Sequence, residues 1–240
     1  MAQAAALNLE GLKSNRYPGR GICIGLDDAG QNLYQVYWIM GRSANSRNRV
    51  FVPDGVELRT EPADPSKVDD PSLIIYNAMR EIDGTYIVTN GDQTDTIYEG
   101  LADGSTFVRA LETRQYEPDP PNFTPRISGM TLIDGEHVCT YLSVLKKSPF
   151  GDGCSRETFQ YETLPAGEGY TVTTYTGDGS PLPSFEGEPY LLPLSGDPKT
   201  VLAEIWGALD AENRISLAVK SVDLESGQST IEVVNAYRQV

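Results

Sequence analysis

Arginine side chains concentrate in the first quarter of this chain, although the chain as a whole is strongly acidic. The 240 residues carry a formal net charge of −15, yet residues 1–60 hold seven basic and five acidic side chains, which leaves residues 61–240 with −17. Within the first quarter, Arg42, Ser43 and Arg47 lie in a polar loop, residues 41–49. Guanidinium groups match phosphate oxygens in pairs, so this loop could bind a phosphate. The alternative is a solvated hairpin loop with ordinary surface charge.

A second stretch, residues 85–97, joins a strand pattern to a helix pattern through polar residues. Tyr86–Val88 is a short run of strand-forming residues. Asn90–Gly91 is the dipeptide that most readily takes positive φ, which predicts a tight turn. Asp92 and Thr94 then crowd the start of the helix pattern. Backbone amides at such a junction can hold an anion or a carbonyl oxygen. The alternative is a capped helix after a turn.

Three further segments flank this stretch in the sequence. They read Tyr17-Pro-Gly-Arg-Gly-Ile22, Tyr76-Asn-Ala-Met-Arg80 and Tyr116-Glu-Pro-Asp-Pro-Pro-Asn-Phe-Thr-Pro-Arg126. Taken with residues 85–97 and in this order, they resemble the archaeal-type IMP cyclohydrolase family. The resemblance runs from about Arg16 to about Met130. Beyond that point only the general rhythm of strands and helices matches, so no role is assigned to residues 131–240.

The resemblance implies an enzyme that closes a ring in purine biosynthesis. A formamido group on an imidazole nucleotide is attacked by the neighbouring carboxamide nitrogen, water leaves, and IMP results. The phosphate must be held, the formyl oxygen must be polarised, and protons must move, without a metal or another cofactor. General acid–base catalysis typically supplies ~10²–10⁴-fold of the rate. Positioning and electrostatics must supply the rest.

The resemblance also implies roles for particular residues. Glu117 precedes a proline-rich loop that would shield it from water and raise its pKa, and it is the predicted general base. Tyr76 and Arg20 are the other predicted catalytic residues, with Arg20 orienting the base or polarising the formyl oxygen. The predicted substrate-binding residues are Arg42, Ser43, Arg47, Asn77, Asn90, Gly91, Asp92, Thr94 and Arg126. From the residues alone, Tyr76 could instead be a core residue and Glu117 an exposed glutamate at a helix end.

Strand patterns outnumber helix patterns and come in hairpins, which favours an α+β fold. Hairpins are predicted for residues 19–26 with 33–40, 127–133 with 137–145, and 215–222 with 230–237. Helices are predicted from Asp70, as N-cap, to Met79, and over residues 94–102, 105–113 and 198–211. Tyr76 and Asn77 would lie on the first of these helices. Residues 181–193 hold several prolines and should be irregular.

The resemblance implies a more particular architecture, the four-layer αββα sandwich of the N-terminal-nucleophile hydrolases. Those enzymes need Cys, Ser or Thr as the free N-terminal residue. This chain begins with Met1 and Ala2, and Cys23 falls inside a strand pattern, so the nucleophile role is vacant. Residues 1–15 are interpreted as a loose N-terminal extension and residues 16–240 as a single domain.

Composition narrows the partners that this chain can have. The net charge of −15 argues against a nucleic-acid partner, and no apolar run approaches membrane-spanning length. Three widely spaced cysteines form neither a metal pair nor a disulfide framework, which is typical of the cytoplasm. A homo-oligomer is expected. Two rival functions stay open: an amidohydrolase of the same fold, and a purine-nucleotide-binding protein without turnover.

Overall fold

A computed structural model describes residues 2–68, 71, 74–135 and 137–239 of the chain. In these residues thirteen strands form two antiparallel sheets, accompanied by five α-helices and one 3₁₀ turn. The strands are β1 Gly21–Leu26, β2 Asn32–Met40, β3 Val50–Asp54, β4 Glu57–Glu61, β5 Asn77–Ile82, β6 Thr85–Thr89, β7 Arg126–Asp134, β8 His137–Lys147, β9 Cys154–Tyr161, β10 Glu168–Thr173, β11 Tyr190–Pro193, β12 Arg214–Asp223 and β13 Ser229–Asn235. The helices are α1 Ala2–Ser14, α2 Ala44–Arg47, α3 Gln93–Ala102, α4 Phe107–Leu111 and α5 Pro198–Ala208, and the 3₁₀ turn is Pro65–Lys67.

The two sheets differ in how their strands follow the chain. The six-stranded sheet has the order β11-β10-β1-β2-β12-β13, and the seven-stranded sheet runs in simple sequence from β3 to β9. All three predicted hairpins are confirmed, as β1–β2, β7–β8 and β12–β13. The six-stranded sheet therefore brings the first two strands of the chain beside its last two.

The two sheets pack face to face, because alternate side chains of a strand point to opposite sides of its sheet. Ile22 and Ile24 belong to an apolar cluster shared with the seven-stranded sheet, whereas Cys23 between them belongs to a cluster shared with α1 and α5. A third cluster joins Ile87 of β6 to Ile97 of α3 and to α4. The layers therefore run helix, sheet, sheet, helix, which confirms the predicted α+β sandwich. Kinship with the N-terminal-nucleophile hydrolases stays a prediction.

The helix predicted from Asp70 to Met79 is wrong. Asp70, Ser72 and Leu73 lie outside the described residues, the Pro71 carbonyl accepts hydrogen bonds from the amides of Ile74 and Ile75, and β5 begins at Asn77. Tyr76 is drawn toward the neighbouring strand, because its amide donates to Thr60 Oγ1 at 2.9 Å and its carbonyl accepts from the Thr60 amide at 2.9 Å. Pairing with β4 thus overrides the local helix signal.

Three other segments differ from the sequence expectation. The loose extension contains helix α1, whose Ala5, Leu9 and Leu12 are buried against the outer face of the six-stranded sheet. Strand β4 was not predicted. Strand β11 lies in a segment predicted to be irregular, and it ends at Pro193, which is tolerated because β11 is an edge strand.

Within the described ranges, none of the helices has both the length and the apolar character needed to span a membrane.

Candidate active site

The side chains of Arg20 and Glu117 meet in the protein interior. Arg20 directly precedes β1, and Thr174 holds its backbone: the Thr174 amide donates to Arg20 O at 2.9 Å, and Arg20 N donates to Thr174 Oγ1 at 3.1 Å. A Cβ on the preceding Gly19 would lie 2.1 Å from Thr174 Oγ1, so only glycine permits this approach. In this position Arg20 Nη2 lies 3.8 Å from Glu117 Oε2.

Glu117 is 2% exposed and begins a loop that folds back on itself. Its amide donates to Thr124 O at 2.8 Å, and Asp119 Oδ1 accepts from the Thr124 amide at 2.6 Å. Burial raises the pKa of Glu117 above its ordinary value, and the positive charges of Arg20 and Arg126 partly offset this effect. A carboxylate with a raised pKa is a stronger base than an exposed one.

Two tyrosines complete the buried cluster. The hydroxyl oxygens of Tyr37 and Tyr76 lie 2.7 Å apart, and both rings belong to the apolar layer between the sheets. Burial raises the pKa of both hydroxyls, while the positive charges of Arg20 and Arg49 act in the opposite direction. Both tyrosines therefore stay protonated near neutral pH and can donate hydrogen bonds.

Arg49 is fully buried and only partly satisfied. Its Nε donates to Ser46 O at 2.9 Å, but Nη1 and Nη2 are buried without a partner among the described residues, as is Nε of Arg20. Burial lowers the pKa of Arg49, and the charge of Arg20 lowers it further. Unpaired buried donors on a charged group are costly, so proteins rarely keep them without a use.

Arg20 and Arg49 line a cavity of about 220 Å³. The other lining residues are Tyr17, Met40, Arg42, Ser43, Ser46, Asp119, Asn122, Thr124, Tyr175 and Leu182. Glu117 and Tyr76 adjoin this cavity through Arg20 and are not part of its lining. The cavity therefore has three arginines on its walls and a buried carboxylate one side chain away.

The loop predicted to bind phosphate divides between two sides of helix α2. Ser43 caps the helix in a reciprocal pair with Ser46, each side-chain oxygen accepting from the other residue's amide at 3.1 Å. Arg42 lies over the ring of Tyr17, 4.8 Å from its centroid, and forms an ion pair with Asp178. Arg42 and Ser43 thus line the cavity together.

Arg47 lies elsewhere. It lines a different cavity, and Nη2 donates to Asn213 Oδ1 at 3.4 Å. Residues three apart on a helix share a face, so Ser43 and Ser46 point one way while Ala44 and Arg47 point another. The structure therefore separates Arg47 from the other two residues predicted to bind phosphate.

The polar junction after β6 bonds mainly to the protein itself. Asn90 Nδ2 donates to Pro125 O at 2.9 Å, and Thr94 Oγ1 lies 2.6 Å from Thr89 Oγ1. The predicted positive φ at Asn90–Gly91 is wrong, because neither residue adopts it. A Cβ on Gly91 would lie 2.6 Å from Arg126 Nη1, so a larger residue would push that guanidinium group away from Gln93.

Asp92, Arg126 and Asn77 also have partners within the protein. Asp92 pairs with Arg126 at 2.7 Å and with Arg114 at 2.9 Å. Asn77 Nδ2 donates to Asp95 Oδ1 at 2.9 Å, on the face of β5 that α3 covers. A contact of these residues with substrate stays a prediction.

Arg49 and Tyr37 are the members of the cluster that sequence reasoning missed. Arg49 lies two residues beyond Arg47, immediately before β3. The Ser-x-x-Ser capping pattern at Ser43 and Ser46 was the signal for a short helix, and that helix decides which arginine reaches the cavity. Tyr37 gave no such signal, because a tyrosine inside an apolar strand looks like any core residue.

The fold and the cavity together define a sandwich protein with a positively charged site for an anionic or oxygen-rich ligand, beside a buried acid and two tyrosines. Among the described side chains, no group of three His, Cys, Asp or Glu is placed to hold a metal ion. A sequence model of the family described as IMP cyclohydrolase-like protein matches residues 17–227. The chain belongs to that family.

Curated relatives agree with this assignment. An IMP cyclohydrolase of Methanopyrus kandleri is 30% identical over 184 residues, which cover 71% of this chain and 89% of the relative. An IMP cyclohydrolase of Methanosphaera stadtmanae is 29% identical over 163 residues, which cover 66% of this chain and 73% of the relative.

Proposed function

We propose that this chain is an IMP cyclohydrolase, which closes the formylated aminoimidazole carboxamide ribotide to IMP with loss of water. Family membership and the names of its relatives support the assignment. The structural observation that carries it is a pair of arginines on the cavity wall, fully buried Arg49 and largely buried Arg20, which keep N–H groups without a partner among the described residues. Donors of this kind suit a reaction in which an oxygen gains negative charge.

The ring closure divides into two steps that this cluster can serve. In the first, the carboxamide nitrogen attacks the formyl carbon, loses a proton to Glu117, and the formyl oxygen becomes a hydroxyl. In the second, that hydroxyl leaves as water, while the proton on the former formamido nitrogen is removed to form the new C=N bond. In each step Glu117 takes the proton from nitrogen and returns it to the oxygen, first to form the hydroxyl and then to release it as water, while Tyr76, Arg20 and Arg49 stabilise the charge on that oxygen.

Glu117 gains access to the reacting nitrogen when Arg20 turns from the carboxylate toward the formyl oxygen. At 3.8 Å the two side chains make no direct hydrogen bond, so Arg20 can reorient without breaking one. Catalytic hydrogen bonds commonly tighten only in the substrate complex.

Arg42 and Ser43 are the proposed phosphate ligands. They lie together on the cavity wall, with the Ser46 hydroxyl beside them. Arg42 already holds the carboxylate of Asp178, an anion that a phosphate would replace. Arg47 is left out of this set because it lines another cavity.

No observation favours the amidohydrolase alternative. Cys23 is buried in the layer between the six-stranded sheet and its helices, away from the cavity, and burial raises the pKa of its thiol to about 12. A thiol in this state is a poor nucleophile.

The direct experiment is to follow, by absorbance, the conversion of the formylated ribotide to IMP by the purified protein. Arg109→Ala, a change in an exposed residue of α4, serves as a control for net charge. Binding of IMP without turnover would instead favour a nucleotide-binding protein. A homo-oligomer and a cytoplasmic location stay predictions, the first open to sedimentation analysis.

A further inference from the structure

The cavity on the other side of α2 carries basic side chains that the proposed reaction does not use. We refer to it as the tail cavity. It has a volume of about 290 Å³, close to the lower limit of ~300 Å³ for small-molecule sites. Arg47, Lys67 and Arg238 contribute its basic groups. Such a concentration of positive charge is unusual in a chain with a net charge of −15.

Arg47 is the best-positioned of these three cations for a ligand. Its Nε is buried without a partner among the described residues, and its bond to Asn213 Oδ1 is long at 3.4 Å. Lys67, by contrast, pairs with Asp64 at 2.7 Å, and that lysine and Ser66 hold the pKa of Asp64 down to about 2. The charge of Asp64 is thus balanced by Lys67, and the positive charges of Arg47 and Arg238 give the cavity a net positive charge.

The remaining walls of the tail cavity are apolar or aromatic except at Asn48, whose side-chain amide is hydrogen-bonded to the backbone of Asp64. Ala44 and Ala63 form two of them, and Tyr237 lies next to Arg238. An aromatic ring beside a guanidinium group suits a flat ligand that carries an anion at one end.

We propose that the tail cavity binds a phosphate monoester with a flat aromatic part, such as a nucleoside monophosphate. Arg47 and Arg238 bind the phosphate, and the ring of Tyr237 contacts the base. This site is separate from the candidate active site, because Ser43 and Ser46 of the same short helix segment face the other way. Tyr237 and Arg238 also lie beyond residue 227, where the family match ends.

The test is isothermal titration calorimetry with adenosine 5′-monophosphate, adenosine and inorganic phosphate as probes. A bond to a charged group contributes enough that losing one should weaken binding roughly tenfold or more. We expect Arg47→Ala and Arg238→Ala each to weaken adenosine 5′-monophosphate binding by that factor. Arg109→Ala, which removes the same charge from α4, should leave it unchanged. Adenosine and inorganic phosphate, each lacking half of the ligand, should bind more weakly than the monophosphate.

Two results would overturn the proposal. One is binding that falls with Arg42→Ala but stays at the wild-type level with Arg47→Ala and Arg238→Ala, which would place the ligand in the active-site cavity. The other is no binding to the wild-type protein at millimolar concentration. Arg238 is exposed, so its variant keeps the test decisive even if Arg47→Ala should fail to fold.

Discussion

Among the described residues, the ion pairs Lys220–Glu81 and Arg20–Glu117 each have a buried member between the sheets, and they differ in how many hydrogen bonds their cations make. Lys220 of β12 is fully buried, donates to Val56 O at 2.8 Å and pairs with Glu81, which also accepts from Ser229 Oγ at 2.9 Å. Arg20 and Glu117 lie 3.8 Å apart, and Nε of Arg20 has no partner among the described residues.

The difference separates a structural pair from a functional one. A buried charge whose hydrogen bonds are all made holds its neighbours in one arrangement. A buried charge with open donors costs stability and is retained when a ligand or a transition state uses those donors. On this basis we interpret Lys220–Glu81 as a structural pair that holds the two sheets together, and we propose that the cluster around Arg20 binds and converts the substrate.

The largest expected effect is on turnover. Glu117→Gln keeps the shape of the side chain and removes its basicity, so kcat should fall roughly 100-fold or more, the usual scale for a lost general base. IMP affinity should change little, because no proton moves in the product complex. A folded variant with near-normal kcat would remove Glu117 from the mechanism and leave Asp119, the carboxylate on the cavity wall, as the next to test.

The structural pair should show the opposite behaviour. Lys220→Met leaves Glu81 without its cation, and breaking a buried pair costs on the order of 3 kcal/mol in the free energy of unfolding. Urea denaturation measures that loss, and kcat of the folded variant should stay within about twofold of wild type. A selective loss of kcat without a loss of stability would erase the distinction between the two pairs.

Arg42, which precedes α2, and Arg47, the last residue of α2, should also differ in their effect on KM. Arg42→Ala should raise KM about tenfold with a smaller change in kcat, because a phosphate contact exists in the ground and transition states alike. Arg47→Ala should leave KM within about twofold. Equal effects of the two substitutions on KM would show that the cavity lining does not predict phosphate binding.

Substitution of Asp178 should change KM less than substitution of Arg42, and in the opposite direction. Its carboxylate competes with the substrate phosphate for Arg42, and exposed ion pairs are worth ~0–1 kcal/mol. Asp178→Asn should therefore lower KM up to about fivefold, with no gain for a substrate analogue that lacks the phosphate. A KM that rises would mean that Asp178 positions Arg42 for binding.

The pH dependence of kcat in the wild-type protein tests the role of Glu117 as general base without a substitution. Its pKa is raised by burial, and a general base works only when deprotonated, so activity should fall as pH drops through that raised pKa. The acid limb should therefore lie at a higher pH than the ordinary glutamate value of 4.5, and it should be absent in Glu117→Gln. A limb at the ordinary value would indicate an exposed carboxylate.

Much of this arrangement could be predicted from sequence motifs. Arg20, Tyr76 and Glu117 lie in three separate segments, and the structure brings them together as the family resemblance implied. The α+β sandwich followed from hairpin signals and the same resemblance. Short motifs can predict such residues because the residues of a motif determine the local backbone conformation. Gly19, for example, allows the close approach to Thr174 that positions Arg20.

The remainder depended on details that local patterns do not encode. Arg47 and Arg49 are two arginines of the same loop, and nothing in the local sequence tells them apart. Helix α2, which ends at Arg47, and strand β3, which begins after Arg49, determine that Arg49 is the one on the wall of the active-site cavity. The sequence predicts Asn77 on a helix beside Tyr76, but successive side chains of a strand face opposite sides, so Asn77 points to α3. Pairing with a distant strand determined both outcomes.

The central claim, that open donors in the buried cluster are kept for function, is tested most directly with Arg49→Met. This change removes a buried, partly unsatisfied charge and keeps an apolar side chain of similar length. We expect changes of opposite sign: the free energy of unfolding should stay at the wild-type value or rise, while kcat/KM for the formylated ribotide should fall at least about 100-fold, the scale for one lost oxyanion donor. A variant that loses stability but keeps wild-type kcat/KM would contradict it.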